Sequence, residues 1–282
     1  MQGKDIKLPL YPKIDYRNNE NFNLFSLFVI NSVKLNYQKY FGQRKNAEKN
    51  KLNLLENQIK EYNNISQIYM EKANKYLDQI SKAYKECDYE VLDFIIRSKS
   101  RCIFGISSGL AYLMNEIGLC FDPYLNLPFI PASTIKGALS SALRFFEKDI
   151  GLSYNINAVL FGKGGYEARI GGVVFSNAYP INKNSKLLVI DVISPHYQPN
   201  KYLGGTVRPE DYELKAEPVP IIYIAVDKGV DFRFLVAYNY YWAQGVEKPS
   251  HEFIRKMLNI ALFLGLGAKT TSGFGVFELV KR

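Results

Sequence analysis

The hydrophobic positions of the first third of the chain repeat with the period of a helix. From Ile59 to Leu92, apolar side chains recur in steps of three and four over about thirty residues. That spacing places them on one face of a long amphipathic helix. A second helix is predicted from Phe22 to about Tyr40. Residues 1–100 are therefore predicted to form a helical region, which is typical of a scaffold or a partner surface.

The pattern changes near residue 100, where short apolar runs begin to alternate with glycine. Strands are predicted at Arg101–Ile106, Gly172–Tyr179, Lys186–Ile193, Val219–Val226, Phe232–Tyr238 and Phe274–Val280. Helical patterns stand between them at Ser133–Lys148, with Ser133 as N-cap, and at Glu252–Leu264. The order β, α, several β, α, β is a split βαβ pattern of the ferredoxin-like kind with an enlarged central hairpin region. We therefore predict an α+β fold, in which residues 101–282 form the domain that follows the helical region.

Composition and charge narrow the class of protein. With 47% hydrophobic and 22% charged residues over 282 positions, the chain has the balance of a folded globular protein. It carries 36 Lys and Arg against 27 Asp and Glu, a formal net charge of +9, but no run of five like charges. A disordered nucleic-acid-binding tail is thereby excluded. A folded basic surface that binds nucleic acid and a charge that serves only solubility both remain open.

The sequence shows no sign of a metal site, a disulfide framework or a membrane span. Cys87, Cys102 and Cys120 are widely spaced and form no CxxC motif or Cys/His cluster. The longest apolar stretch, Met257–Leu266, is too short to cross a bilayer, and the first residues do not resemble a signal peptide. We therefore predict a cytoplasmic protein without metal or cofactor and with no membrane partner.

The segment between the last predicted helix and the last predicted strand is rich in glycine. Its four glycines, from Gly265 to Gly275, alternate with small hydroxylated residues and one lysine. Glycine permits positive φ, and successive N–H groups in such a turn can hold an anionic oxygen. The candidate phosphate contacts are Gly267, Lys269, Thr270, Thr271 and Ser272. The alternative is a flexible helix-to-strand turn, because the spacing matches neither a Walker loop nor a dinucleotide-binding fingerprint.

The start of the predicted helix at residue 133 is a second candidate site. Its first turn carries Ser133, Thr134 and Lys136, and the free N–H groups of a helix start suit phosphate. An ordinary well-capped helix with exposed lysines is the alternative. Lys163 and Arg169, two basic residues among glycines shortly before a strand, are further candidate RNA contacts.

His196 is the one residue considered for catalysis. It follows an apolar strand that carries Asp191, so it could act as general base in metal-independent RNA cleavage, with Asp191 orienting the ring. A single histidine in a tyrosine-rich loop more often stacks or forms hydrogen bonds, and we therefore place His196 among the RNA-binding residues. His251 is interpreted as structural. Because no Ser/His/Asp order, HExxH motif or paired carboxylate motif stands out, no catalytic residue is predicted.

Four segments, in one order, carry a resemblance to a known family. They read PFIPASTIKGALSSALR, FGKGG followed by GGVVFSNAYP, LLVIDVISPHY and GLGAKTTSGFG. In this order they resemble the RAMP superfamily of CRISPR-associated proteins, and the third segment is most like the family of the sixth subunit of the type III-B Cmr effector complex. The resemblance covers about residues 101–280. Ala132 stands where the family usually has glycine.

The resemblance implies both a fold and a function. It implies an RRM-like (ferredoxin-like) core with a helical addition, in a non-catalytic subunit that binds RNA in antiviral defence. Such a subunit holds the 3′ side of the CRISPR RNA and its target duplex, next to the backbone subunit and the first Cmr subunit. Target cleavage belongs to the backbone subunit, whose catalytic aspartate lies in an early loop. The corresponding stretch here, Gly105–Leu110, contains no acid.

Two alternative functions stay open at the level of sequence. One is a metal-independent RAMP endoribonuclease that processes CRISPR RNA with His196 as the base. The other is a protein-interaction scaffold, in which the helical region docks a partner and the positive charge is incidental.

Overall fold

The computed structural model describes residues 23–40, 44–106, 110, 117–150, 156–166, 168–193, 220–239 and 251–280. Its helices are α1 (Leu24–Tyr40), α2 (Arg44–Glu86), α3 (Ala132–Ile150), α4 (Ile156–Phe161) and α5 (His251–Leu264). Its strands are β1 (Glu90–Ser98), β2 (Phe121–Asp122), β3 (Leu127–Pro128), β4 (Val173–Phe175), β5 (Tyr179–Lys183), β6 (Leu188–Ile193), β7 (Ile221–Val226), β8 (Val230–Tyr238) and β9 (Phe277–Leu279). The fold is thus a mixture of helices and antiparallel sheet, in agreement with the predicted α+β class.

The long helix α2 forms because its apolar residues repeat along one face. Buried side chains recur every seven or eight positions, two helical turns apart, at Leu55, Tyr62, Met70 and Leu77. The helix ends at Glu86, because Asp88 adopts a left-handed φ of 59° and the N–H of Tyr89 donates to Tyr84 O at 3.0 Å. This is the pattern of a helix C-cap. The prediction that the helix continues to Leu92 is wrong.

The strand β1 follows this turn and begins the main sheet. It pairs antiparallel with β8 and with β9. The predicted strand at Arg101–Ile106 is wrong, since the described pairing in this stretch is an isolated bridge between Cys102 and Val226. The sheet therefore takes its first strand from before residue 100. The division into domains 1–100 and 101–282 stays a prediction.

The main sheet has five strands, and β8 lies at its centre. Its order is β4–β8–β1–β9, and β5 also pairs with β8. All of these pairs are antiparallel. In separate small sheets, β6 pairs with β7 and β2 pairs with β3. Every residue of β8 is buried, as expected for a strand with helices on both faces.

Helices cover the two faces of the main sheet. On one face, Phe175 and Val236 of the sheet line a small apolar cavity together with Leu139 of α3 and Met257 of α5. On the other face, α2 contacts β5, β8 and β1. Buried residues of all three layers belong to one hydrophobic core. The layers are therefore α3 and α5, then the sheet, then α2.

Polar side chains fix α2 on the strands. The side-chain oxygen of Asn63 accepts the N–H groups of Leu187 and Leu188 at 2.8 and 2.9 Å. The guanidinium of Arg233, in β8, donates to Asn74 Oδ1 at 2.6 Å. Because buried polar groups need a partner, these bonds determine both the rotation of α2 about its axis and its position along the sheet.

Candidate functional site

The start of α3 is capped by a residue from another part of the chain. The helix begins at Ala132, whose N–H donates to Asn177 Oδ1 at 2.9 Å. The N–H of Thr134 donates to Pro131 O at 2.9 Å. Ser133 therefore lies inside the first turn, and its prediction as N-cap is wrong, because the Asn177 side chain supplies the cap. Some of the N–H groups that were expected to be free for phosphate thus already have acceptors.

Four of the candidate RNA-binding residues line one open cavity of about 640 Å³. Ser133 and Lys136 come from the start of α3, whereas Lys163 and Arg169 come from the segment between α4 and β4. Thr134 belongs to the same turn of α3 but is not one of the lining residues. No carboxylate lines the cavity among the described residues. This site, termed the basic cavity, has the charge that attracts a phosphate group.

The segment between α4 and β4 forms a tight hairpin because of its glycines. The N–H of Lys163 donates to Arg169 O at 3.0 Å, and the N–H of Arg169 donates to Lys163 O at 2.8 Å. A Cβ at Gly171 would lie only 2.5 Å from Leu160 O, so a side chain there would collide with the backbone. The hairpin therefore brings the two cations side by side. Residues 162–171, of which 167 is not described, are termed the basic hairpin.

The glycine-rich loop, Gly265–Gly275, is fixed to the segment that follows β1. The N–H of Gly275 donates to Arg101 O at 2.8 Å. Gly267 has a φ of +98°, and a Cβ there would lie 2.4 Å from Ile103 O. The structure therefore gives Gly267 a packing role, because only glycine permits this conformation and this approach. Its contact with phosphate stays a prediction.

Lys269 lies between two aromatic rings in this loop. Its Nζ is 4.5 Å from the centroid of the Phe274 ring and 5.5 Å from that of Tyr223. Both distances are within the range of cation–π attraction. The rings orient the ammonium group without neutralising it, so its positive charge can still attract a phosphate.

The 3₁₀ turn Thr270–Ser272 follows Lys269 directly. The N–H of Ser272 donates to Lys269 O at 2.9 Å. Within the described residues, no acceptor is bonded to the N–H of Thr270 or of Thr271. Two adjacent N–H groups beside an ammonium group and three hydroxyls form a candidate site for a phosphate oxygen. Residues 269–272 are termed the lysine turn.

Asp191 is bonded to Arg101. Its Oδ2 lies 2.9 Å from Nη1 of Arg101, and this bond raises the pKa of the guanidinium. Tyr223 stands opposite Asp191 in the β6–β7 pair. Burial, and then the charge of Asp191, raise the pKa of the Tyr223 hydroxyl. His196 lies outside the described residues, so its RNA contact stays a prediction and its pairing with Asp191 stays an alternative.

The candidate residues form two clusters and not one. The basic cavity lies beside β4, at one edge of the main sheet, and the lysine turn precedes β9, at the other edge. Three strand spacings, about 14 Å, separate these edges. Sequence reasoning missed Tyr223 and Phe274 as neighbours of Lys269, and it missed Arg101 as the residue whose carbonyl accepts the N–H of Gly275. Tyr223 lies in an apolar run that was predicted as a strand, and such a pattern carries no signal for a contact with Lys269.

Two features are absent from the described part of the chain, a cluster of metal-ligating side chains and a membrane-spanning helix. No group of three or more His, Cys, Asp or Glu side chains is placed there to hold a metal ion. No helix within it combines the length and the hydrophobicity needed to cross a membrane.

Comparisons with known proteins agree on one family. A model described as the RAMP superfamily matches residues 114–278. The CRISPR system CMR subunit Cmr6 of Saccharolobus solfataricus is 33% identical over 296 residues, which cover 95% of this chain and 94% of that protein. A chain in the cryo-EM structure of the type III-B Cmr-beta bound to cognate target RNA has a TM-score of 0.73 and 29% identity, and the match covers 94% of each chain.

Proposed function

Because this chain belongs to the RAMP superfamily and, within it, to the family of the Cmr6 subunits, we propose that it is an RNA-binding subunit of a type III-B Cmr effector complex. The membership confirms the resemblance of the four sequence segments. The subunit holds the 3′ side of the CRISPR RNA and its target duplex, beside the backbone subunit and the first Cmr subunit. Support comes from the solved relative, which is a chain of a Cmr assembly bound to target RNA.

The basic cavity is the observation that carries RNA binding by this chain. Lys136, Lys163 and Arg169 all line this cavity. Such cations contact phosphates without reading the bases, as a subunit that accepts guides of many sequences requires. The lysine turn supplies a second phosphate site of the same kind at the opposite edge of the sheet.

The fold proposed for the core is the ferredoxin-like one. In chain order its strands are β1, β4 with β5, β8 and β9, and their order in the sheet is second, third, first, fourth. Two split βαβ units with α3 and α5 as the crossovers produce this order, and the β6–β7 pair enlarges the central hairpin region. RRM domains bind RNA on an open sheet face. Here helices cover both faces, so RNA contacts are expected from the loops at the sheet edges.

Replacing the three cations of the basic cavity by alanine is expected to weaken RNA binding and its dependence on salt. Each phosphate contact releases counterions, so loss of Lys136, Lys163 and Arg169 lowers the slope of log affinity against log salt by about 2–3. Fluorescence anisotropy of a labelled RNA over a series of salt concentrations measures the slope. A variant with alanine at Lys75, Lys82 and Lys256 loses the same charge from other exposed surfaces. Equal losses from both variants would contradict the cavity as the binding site.

The chain is expected not to cleave RNA. The stretch Gly105–Leu110 contains no acid, and Asp191 is already bonded to Arg101. Repeat RNA incubated with the purified protein, with EDTA and separately with magnesium, should stay intact on a denaturing gel. Site-specific cutting that disappears in His196→Ala would show instead that the chain is an endoribonuclease with His196 as its general base.

A further inference from the structure

Two large apolar side chains are exposed on the basic hairpin. Tyr166 is completely exposed, and Ile170 is 75% exposed. Single exposed apolar residues are common on protein surfaces and need no explanation. This pair is different, because both residues lie on one short hairpin that also carries two cations, Lys163 and Arg169, against a single acid, Glu167. The hairpin therefore presents apolar surface and positive charge together.

The basic cavity has an apolar wall as well as cations. Phe161, Ile170, Val173 and Phe175 contribute to its lining. The volume of about 640 Å³ falls within the roughly 300–1,000 Å³ of typical small-molecule sites. An inorganic anion would use only the cations. A group with an anionic head and a flat apolar body would use both parts, and a nucleotide has this composition.

A nucleotide without a pairing partner matches this surface better than a duplex does. In an A-form duplex the faces of the bases are stacked inside, and a protein meets phosphates and 2′-hydroxyls. Tyr166 and Ile170 would then have no apolar surface to contact. In a single strand each base has a free face, and stacking on an aromatic side chain raises affinity about 5- to 150-fold per base.

We propose that the basic cavity and the exposed Tyr166 beside it together hold one unpaired nucleotide of the bound RNA, with its phosphate at the three cations and its base against Ile170 of the cavity lining and against Tyr166, which lies on the same hairpin but outside that lining. This inference rests on the proposed function and adds to it the class of RNA recognised at this edge of the sheet. That class is a single-stranded segment and not the guide–target duplex.

The test compares variants of the full chain by fluorescence anisotropy, with a labelled single-stranded RNA and with the same RNA in a perfect duplex. Tyr166→Ala is expected to weaken single-strand binding about 5- to 150-fold and to leave duplex binding unchanged. Tyr166→Phe keeps the ring and should bind like the wild type. Tyr124→Ala is the matched control, because Tyr124 is 97% exposed on the turn between β2 and β3, and no change is expected. The salt slope should be the same for all, since no charge is removed.

Several results would overturn the inference. Equal losses for single-stranded and duplex RNA would do so, as would no loss for either. If Tyr166→Ala kept its RNA affinity but bound the other Cmr subunits less tightly, the basic hairpin would be a protein-docking surface and the proposal would be wrong. Failure of the proposed function is a different result, because the wild-type chain itself would then show no salt-dependent RNA binding.

Discussion

Arg233→Met is expected to lower the free energy of unfolding by about 3 kcal/mol. Arg233 is only 4% exposed. Its Nη2 lies 2.6 Å from Asp93 on β1, and its Nη1 lies 2.6 Å from Asn74 and 2.8 Å from Asp78 on α2. Methionine fills similar space but donates no hydrogen bond. Asp93, whose side chain is 28% exposed, then loses this cation, and removing one partner of a largely buried ion pair costs more than the intact pair contributes.

Urea unfolding followed by circular dichroism measures this change. Lys256→Met is the matched control, because it removes the cation of an exposed ion pair, whose Nζ lies 2.9 Å from Glu252. Exposed pairs contribute little to stability, so no measurable change is expected. The double variant Arg233→Met with Asp93→Leu should recover part of the loss, since the buried cation and its partly exposed partner are then both absent.

Two outcomes would change this account of α2. A loss below about 1 kcal/mol, the usual value for a surface pair, would mean that apolar contacts alone hold the helix on the sheet. Two separate unfolding transitions in the wild type would show that α2 and the sheet unfold independently. That second result would support the predicted division of the chain near residue 100.

The helices α3 and α5 could be predicted because the residues within each helix are enough to indicate it, without knowledge of distant contacts. Each has apolar positions at helical spacing and a clear stop, and the observed bounds, Ala132–Ile150 and His251–Leu264, lie close to those predicted. The strands β6, β7 and β8 were also recognisable as short apolar runs between polar or glycine-bearing segments. In these elements, local pattern and tertiary environment agree.

The strand β1 could not be predicted because its local pattern favours the wrong structure. Val91 and Leu92 continue the helical spacing of α2, and the period of such a short run is ambiguous. The conformation is decided by the left-handed turn at Asp88 and by pairing with β8, about 140 positions later in the chain. Sequence spacing alone does not reveal such distant partners.

The same reason explains what could be predicted of the candidate site. Lys136, Lys163, Arg169 and Lys269 were identified because each stands beside glycine or a helix start. Their separation into two clusters depends on the strand order, which places β4 and β9 at opposite edges. The cap of α3 was missed because Asn177 is 45 positions away from the N–H that it accepts.

Gly275→Ala is expected to lower the free energy of unfolding by about 2–4 kcal/mol, because backbone strain and a lost hydrogen bond add. Gly275 has a φ of +68°, and a Cβ there would lie 2.1 Å from Leu266 O. Its own carbonyl accepts the N–H of Leu266 at 2.8 Å. The backbone cannot move away from the new methyl group without breaking this bond. Thermal and urea unfolding measure the loss.

Gly273→Ala measures the cost of backbone strain alone. At this position the positive φ disfavours alanine, but the new methyl group collides with nothing. Gly273 has a φ of +82°, and a Cβ there would meet no atom within 4 Å, so a loss of about 1–2 kcal/mol is expected. Lys269 adopts a φ of 61° in the same loop, which shows that a side chain is accommodated at such an angle where space allows it. If Gly273→Ala and Gly275→Ala lost the same stability, the approach of Gly275 to Leu266 would carry no cost of its own. The conformation of the glycine-rich loop, which positions Lys269, would then depend on its backbone angles and not on the contact between Gly275 and Leu266.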